Sequence, residues 1–318
     1  MRNACLESLI ELGKSNEKII LISVDQPTGK DKDLTSSLGD RFLYEPISEA
    51  NVIGMASGLA ADGFLPYILN HATFNTRRCY EQIMLDACLQ KRYIRLIGMG
   101  AGLATAHLGP THTSVDDIAL MRTIPGMTVF VPSDASEVKR IIPQTLTWEE
   151  SIYIRLTKYG VPKYGLEIDY DQLGDIELGK AYLLTPTTID QKVLLVSTGC
   201  MSPICLEVSG KLNAKNIFSR VLHISTIKPL DIDSLLGAIK GIEKVYFVEE
   251  HWKTGGLGSA CIENLVEYLP PRELPLIKRL SLPDRYIHEY GDQKSLLDYF
   301  DLMPDKIEKR ILADFSNS

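Results

Sequence analysis

Short apolar runs separated by segments of helical period constrain this chain more than any other feature. IILISV (19–24), FLPYIL (64–69), YIRLIGM (93–99), TVFVP (128–132) and SIYIRLT (151–157) carry no regular polar face, so strands made from them need cover on both sides. Between them lie helical stretches. Arg2 to Leu12 stops at Gly13, a small-residue helix runs from Val52 to Ala61 with Glu49 in its first turn, and others span Arg77 to Cys88 and Val115 to Arg122. A further helix is capped by Ser133 and Asp134. Such alternation predicts a parallel sheet with helices on both faces.

From Gly160 to Asp190 the pattern breaks into Tyr, Pro, Gly, Asp and Thr, the composition of a linker. It resumes with the strands VLLVSTG, RVLHIST, KVYFVEE and LIKRLSL. Helices run through Ile204, after Asp231 and from Gly258 to Leu269, and the last closing helix starts at Pro304, a natural first position. The expected fold is α/β, with two doubly wound domains in series at 1–165 and 190–318 and a linker at 166–189. A length of 318 residues with 45% apolar content suffices for two such cores.

Composition narrows the function classes. A formal net charge of −7, with basic residues scattered, argues against a nucleic-acid surface. The start, MRNACLESLIELGK, has no signal-peptide pattern, and no apolar run is long enough to span a membrane, so a cytoplasmic protein is expected. The six cysteines form no C-x-x-C pair, which points to reduced, mostly buried thiols without chemistry.

The candidate chemistry concentrates between Glu45 and Gln82, where a tight loop delivers Glu49 onto a helix and a polar-aromatic loop follows a short strand. An acid in a first helical turn is also an ordinary response to the helix dipole, so Glu49 read alone has two explanations. TGGLGSA (254–260) lacks the G-x-G-x-x-G spacing of a dinucleotide loop and reads as a packing turn at a helix start.

EANVIGMASGLAADGFLPY, the loop with Phe74, and GPTHTSVDDIALMRTIPGMTVFVPSDASE together resemble the pyrimidine-binding domain of transketolase and its thiamin-dependent relatives. TIKPLD, VEEHWKTGGLGSA and LPDRY are similar to the family's C-terminal domain. The match covers nearly the whole chain in the family's order. It implies that Glu49 binds the ring nitrogen of the aminopyrimidine of thiamin diphosphate and favours its imino tautomer, for which Glu49 should be buried and protonated. Asp25, at the end of IILISV, matches a position close to the cofactor, or else is an ordinary turn residue. Phe74 and His71 lie where the family stacks an aromatic ring on the pyrimidine. Phe74 is favoured because a neutral ring has no hydrogen-bonding demand, although either ring also suits a core.

By the same resemblance, His112 of Gly-Pro-Thr-His contacts the donor sugar's hydroxyls. Arg2 and Lys158 fall where the family binds the substrate's phosphate, while a fraying terminus and a solvated strand end are the plainer readings of them. Leu108 replaces an acidic residue that reads the acceptor's hydroxyl, and Gly100 replaces a histidine. His107 is nearby and is expected to supply part of the lost polarity. The family's Gly-Asp-Gly motif for Mg²⁺ and diphosphate has no counterpart, since Gly39-Asp40-Arg41 and Gly291-Asp292-Gln293 fit neither in residue type nor in setting.

The resemblance therefore implies the small subunit of a split transketolase, moving a two-carbon ketol unit from a ketose to an aldose. A second chain would hold Mg²⁺ and the diphosphate in an α2β2 heterotetramer. The alternatives are a 2-oxo acid dehydrogenase β chain, a 1-deoxyxylulose-phosphate-synthase-like enzyme, or a non-catalytic regulatory or assembly subunit.

Overall fold

The structure is a computed structural model that describes residues 1–25, 28–157 and 165–316. Its first domain is built from α1 (Arg2–Ser15), β1 (Ile19–Val24), α2 (Asp31–Leu38), β2 (Phe42–Glu45), α3 (Glu49–Ala61), β3 (Leu65–His71) and α4 (Ala72–Thr76). There follow α5 (Tyr80–Gln82), β4 (Arg95–Met99), α6 (Asp117–Arg122), β5 (Met127–Phe130), α7 (Ala135–Ile141) and β6 (Ser151–Leu156). β1 is buried at every residue because both of its faces are covered, as its near-continuous apolar sequence demands. Ile20, Ile22 and Val24 join Val52, Ile53 and Ala56 of α3 in one core layer. Ile19 and Leu21 join Leu6 and Leu9 of α1 in the other.

The second domain comprises β7 (Ala181–Leu183), β8 (Val193–Ser197), α8 (Met201–Asn213), β9 (Ser219–Ile224), β10 (Thr226–Lys228), α9 (Ile232–Ile239) and β11 (Lys244–Trp252). It ends with α10 (Leu257–Tyr268), β12 (Leu276–Leu282), α11 (Gln293–Tyr299) and α12 (Pro304–Ser316). Its sheet has the order β12-β11-β8-β9-β7, parallel except for β7, which pairs antiparallel with β9. β7 lies inside the stretch read as linker, where three residues among Thr, Gly and Pro give little periodicity to read.

The first sheet has the order β10-β5-β6-β4-β3-β1-β2, and its outermost strand comes from the second domain. β10 pairs antiparallel with β5, matching Thr226 to Phe130 and Lys228 to Val129. A buried ion pair crosses the same boundary. His223 Nε2 lies 3.0 Å from Glu137 Oε2, and its Nδ1 lies 2.6 Å from Ser202 Oγ. Burial pushes the Glu137 carboxyl up, but the His223 charge and hydrogen bonds from His223 and Ser133 outweigh it and hold the group below its ordinary value.

The glycine turn before α10 is occupied from within. Glu249 accepts hydrogen bonds from the backbone N–H groups of Leu257, at 2.6 Å, and Gly258, at 3.1 Å. A Cβ on Gly256 would lie 2.0 Å from Glu249 Oε2, so only glycine admits the carboxyl. The packing-turn reading of TGGLGSA is what the structure has.

The helix expected from Arg77 to Cys88 is broken. A turn at 77–79 leads into α5, and Ile83–Cys88 winds as a wider π turn, with Leu89 N–H on Met84 O at 2.9 Å. At the break, Arg77 reaches Asp116 at 2.7 Å and Thr113 O at 2.8 Å, while Arg78 points to Glu49 instead. Among the described residues all six cysteines are unpaired and only Cys88 is not fully buried. No helix of the described residues is long and apolar enough to cross a membrane.

Candidate active site

In the parallel part of the first sheet the chain passes from β1 outward to β2, then crosses back to β3 on the other side of β1. Ligands of doubly wound sheets bind at such a reversal, beyond the carboxyl ends of the strands. Asp25 follows the end of β1, His71 ends β3, and the loop from 100 to 114 follows β4.

Glu49 is the first residue of α3 and is buried, with 4% of its surface exposed. Both of its oxygens accept hydrogen bonds from Arg78 Nη1, each at 2.8 Å. The burial expected of Glu49 is present, and the structure adds a neighbour that the sequence does not announce, the Arg78 guanidinium in a salt bridge. The Arg78 side chain is about half exposed, so the bridge closes the carboxyl off from solvent. The Arg78 guanidinium carbon also stands 4.4 Å from the centre of the Phe74 ring, a cation–π contact.

Phe74 in turn meets both candidate histidines. Its ring centre is 5.8 Å from that of His71 and 5.2 Å from that of His112, and the two histidine rings are 5.6 Å apart, all edge to face. Glu49, Phe74, His71 and His112 thus form one continuous cluster joined by Arg78. Arg78 escaped the sequence reading. Its only signal was the spacing Phe74 to Arg78, which puts two side chains on one side of a helical turn.

Gly100, Gly102 and Gly109 all have positive φ in the loop that carries His112, at 65°, 68° and 83°. A Cβ on Gly100 would lie 2.5 Å from Thr105 Cγ2, so the loop as folded cannot accept a histidine there. Thr105 Oγ1 donates to the carbonyls of His112, at 2.7 Å, and Gly100, at 3.1 Å. Thr111 Oγ1 lies 2.9 Å from His112 Nδ1 and orients the ring.

The remaining candidates are not among these ring contacts. Asp25 is exposed at a positive φ of 54°, its N–H bonded to Glu45 O at 2.9 Å. Aspartate tolerates that left-handed conformation better than most residues. Arg2 is partly exposed at the start of α1, its guanidinium facing Gly29. Lys158 lies outside the described residues. His107 and Leu108 are exposed on a single 3₁₀ turn. Gly39-Asp40-Arg41 is also a 3₁₀ turn, whose Arg41 ties down the carbonyls of Gly13 and Asn16. Asp292 caps α11 by accepting from Ser295 N–H at 2.7 Å. Among the described residues no group of three or more His, Cys, Asp or Glu side chains could hold a metal ion.

Residues 1–163 match the model of the transketolase pyrimidine-binding domain, and residues 179–307 match that of the transketolase C-terminal domain. The chain belongs to the transketolase family. It is 27% identical over 98% of its length to an apulose-4-phosphate transketolase subunit of Phocaeicola vulgatus, covering 96% of that protein. It is 30% identical over 96% of its length to the 6-deoxy-6-sulfo-D-fructose transketolase subunit SqwH of Clostridium sp. strain MSTE9, covering 92% of it. A third relative, the 1-deoxy-D-xylulose-5-phosphate synthase of Dictyoglomus thermophilum, is 30% identical, and this transketolase-family chain spans only 48% of it. Among solved structures, a split-gene transketolase described as an inactive β4 tetramer superposes with a TM-score of 0.86 at 30% identity. That match covers 98% of this chain and 97% of the other.

Proposed function

We propose that this chain is the pyrimidine-binding subunit of a two-chain transketolase, which transfers a two-carbon ketol unit from a ketose to an aldose acceptor. The observation that carries the reading is the buried carboxyl of Glu49 joined through Arg78 to the rings of Phe74, His71 and His112. Support comes from relatives that are named as transketolase subunits and align over nearly their full length.

The side chains fit one half of thiamin diphosphate. A buried carboxyl and an apolar ring face suit the aminopyrimidine, while the acidic turns that resemble metal loops serve the fold instead. The partner chain supplies the Gly-Asp-Gly site for Mg²⁺ and the diphosphate, in an α2β2 assembly. When bound, thiamin diphosphate supplies an acidic thiazolium carbon and an electron sink for breaking the bond beside the ketose carbonyl.

The chain's own residues then have distinct tasks. Glu49 would hold the pyrimidine ring nitrogen through a protonated carboxyl, in exchange for its present pairing with Arg78. Phe74, with His71 edge-on beside it, would stack on the same ring, and Asp25, after the end of β1, would flank the cofactor. His112, oriented by Thr111, binds the donor's hydroxyls with His107 at the rim, and Arg2 and Lys158 take a terminal phosphate. Leu108 cannot accept a hydrogen bond, which favours an acceptor lacking the usual hydroxyl there and keeps the synthase-like decarboxylation as a second reading.

The test is calorimetric titration of thiamin diphosphate with Mg²⁺ into the chain alone and into its mixture with a Gly-Asp-Gly partner. Binding and ketol transfer are expected only in the mixture, with Glu49→Gln lowering turnover there by about 10²–10⁴-fold. Tight binding by the chain alone would overturn the divided site. Release of carbon dioxide from pyruvate, with no transfer from ketoses, would select the second reading.

A further inference from the structure

The loop that carries His112 is fastened from the other domain. Its neck is closed by Gly102 and Ser114, which exchange backbone hydrogen bonds of 2.7 and 3.2 Å. Against this neck lies Glu250 of β11, with 2% of its surface exposed. Glu250 Oε1 accepts from Leu103 N–H at 3.0 Å and from Gln293 Nε2 at 2.9 Å, and its Oε2 accepts from Cys200 Sγ at 3.3 Å. A Cβ on Gly102 would lie 2.2 Å from Oε2, so the carboxyl fills the space a side chain would need.

A second strut runs beside it. Arg155, buried and paired with Asp117 at 2.8 Å, donates to the backbone carbonyls of Glu250 at 3.0 Å and Ser114 at 3.3 Å. Burying a carboxyl is costly, and packing alone is met more cheaply by an apolar side chain. What a carboxyl adds is direction, because it gathers donors from the loop, from α11 and from the start of α8 at one point.

We propose that Glu250 is a positioning residue for ketol transfer: from the second domain it fixes the neck of the loop 100–114, and through it the place of His112 relative to Glu49 and Phe74. This rests on the reading that His112 meets the donor sugar. Glu49 and Phe74 stand on α3 and α4, outside the clamped loop, and meet it at the His112 ring, so the clamp bears on the donor site more than on cofactor binding. Misplacement of a binding group by about 1 Å can cost on the order of 100-fold in rate.

The experiment uses the assembled two-chain complex, loaded with thiamin diphosphate and Mg²⁺, and compares Glu250→Ala, Glu250→Gln and Gly102→Ala with the wild type. Kinetics with a donor ketose are read beside the calorimetric affinity for the cofactor. Glu250→Ala is expected to lose at least tenfold in kcat/KM for the ketose, with cofactor affinity within about twofold of wild type. Glu250→Gln, which keeps an oxygen for Leu103 N–H, should recover most of that loss. Gly102→Ala should also lose activity, because its Cβ would meet Glu250 Oε2 and the left-handed φ of 68° strains any side chain there.

Unchanged kinetics in Glu250→Ala would overturn the positioning role alone. So would cofactor affinity falling in step with activity, because that marks a general loss of structure. Should Glu250→Ala fail to fold, Glu250→Gln and Gly102→Ala decide by the same readouts. A wild-type complex that binds cofactor yet transfers no ketol unit from any ketose would overturn the proposed function and the positioning role with it.

Discussion

Glu249→Gln should flatten the pH dependence of stability. The Glu249 carboxyl is fully buried, and that burial raises it from an ordinary 4.5 to about 7, against the pull of the two backbone N–H groups it caps. Between those values the folded chain holds a proton that the unfolded chain has released. The folded state therefore loses stability as pH rises through this window, at about 1.4 kcal/mol per unit. Between pH 5 and pH 8 the loss amounts to about 2–3 kcal/mol. Glutamine does not titrate and keeps one oxygen for Leu257 N–H, so the variant should gain about that much on the wild type over the same interval. Urea unfolding at several pH values, followed by the fluorescence of Trp148 and Trp252, measures it. Other titrating groups cancel in the difference. Parallel pH profiles for the two proteins would refute the reasoning, since they would mean that Glu249 titrates alike folded and unfolded.

Two further substitutions probe the ion pairs. Glu137→Ala should cost about 3–5 kcal/mol in urea unfolding at pH 7, because it leaves buried His223 and the Ser133 N–H without their acceptor. With Glu137 held below its ordinary value, its contribution is present above pH 4.5 and fades as pH falls through the lowered value, so the gap between variant and wild type should narrow in acid. Arg78→Ala should cost the isolated chain only about 1 kcal/mol by thermal unfolding, because its half-exposed guanidinium is screened by water. A loss as large as that of Glu137→Ala would show that the Glu49 bridge is a structural one.

The strands that were legible in the sequence are those with near-continuous apolar runs, such as β1 and β8, because a strand covered on both faces is mostly apolar. β7 and β10 were not legible. Each has three residues, and β10 exists because β5 of the other domain offers it an edge, a pairing that leaves no local trace. Within the candidate site, Glu49, Phe74, His71 and His112 stood out through their motifs. Arg78 did not, since what matters about it is a contact 29 positions back in the chain. The sequence gives no sign of the roles of Glu137, Glu249 and Glu250. Only the packing of the two domains reveals that all three are buried.

β10 also has a consequence in time. β5 ends at Phe130 and its partner strand begins at Thr226, so 96 residues must be made before the first sheet is closed on that side. At ordinary synthesis rates that interval lasts roughly 5–20 s, during which the nascent first domain presents an open β edge. Such an edge invites pairing with other chains. Until the second domain leaves the ribosome the first has no finished surface, so a gene fragment ending in the linker should yield aggregates rather than a working half.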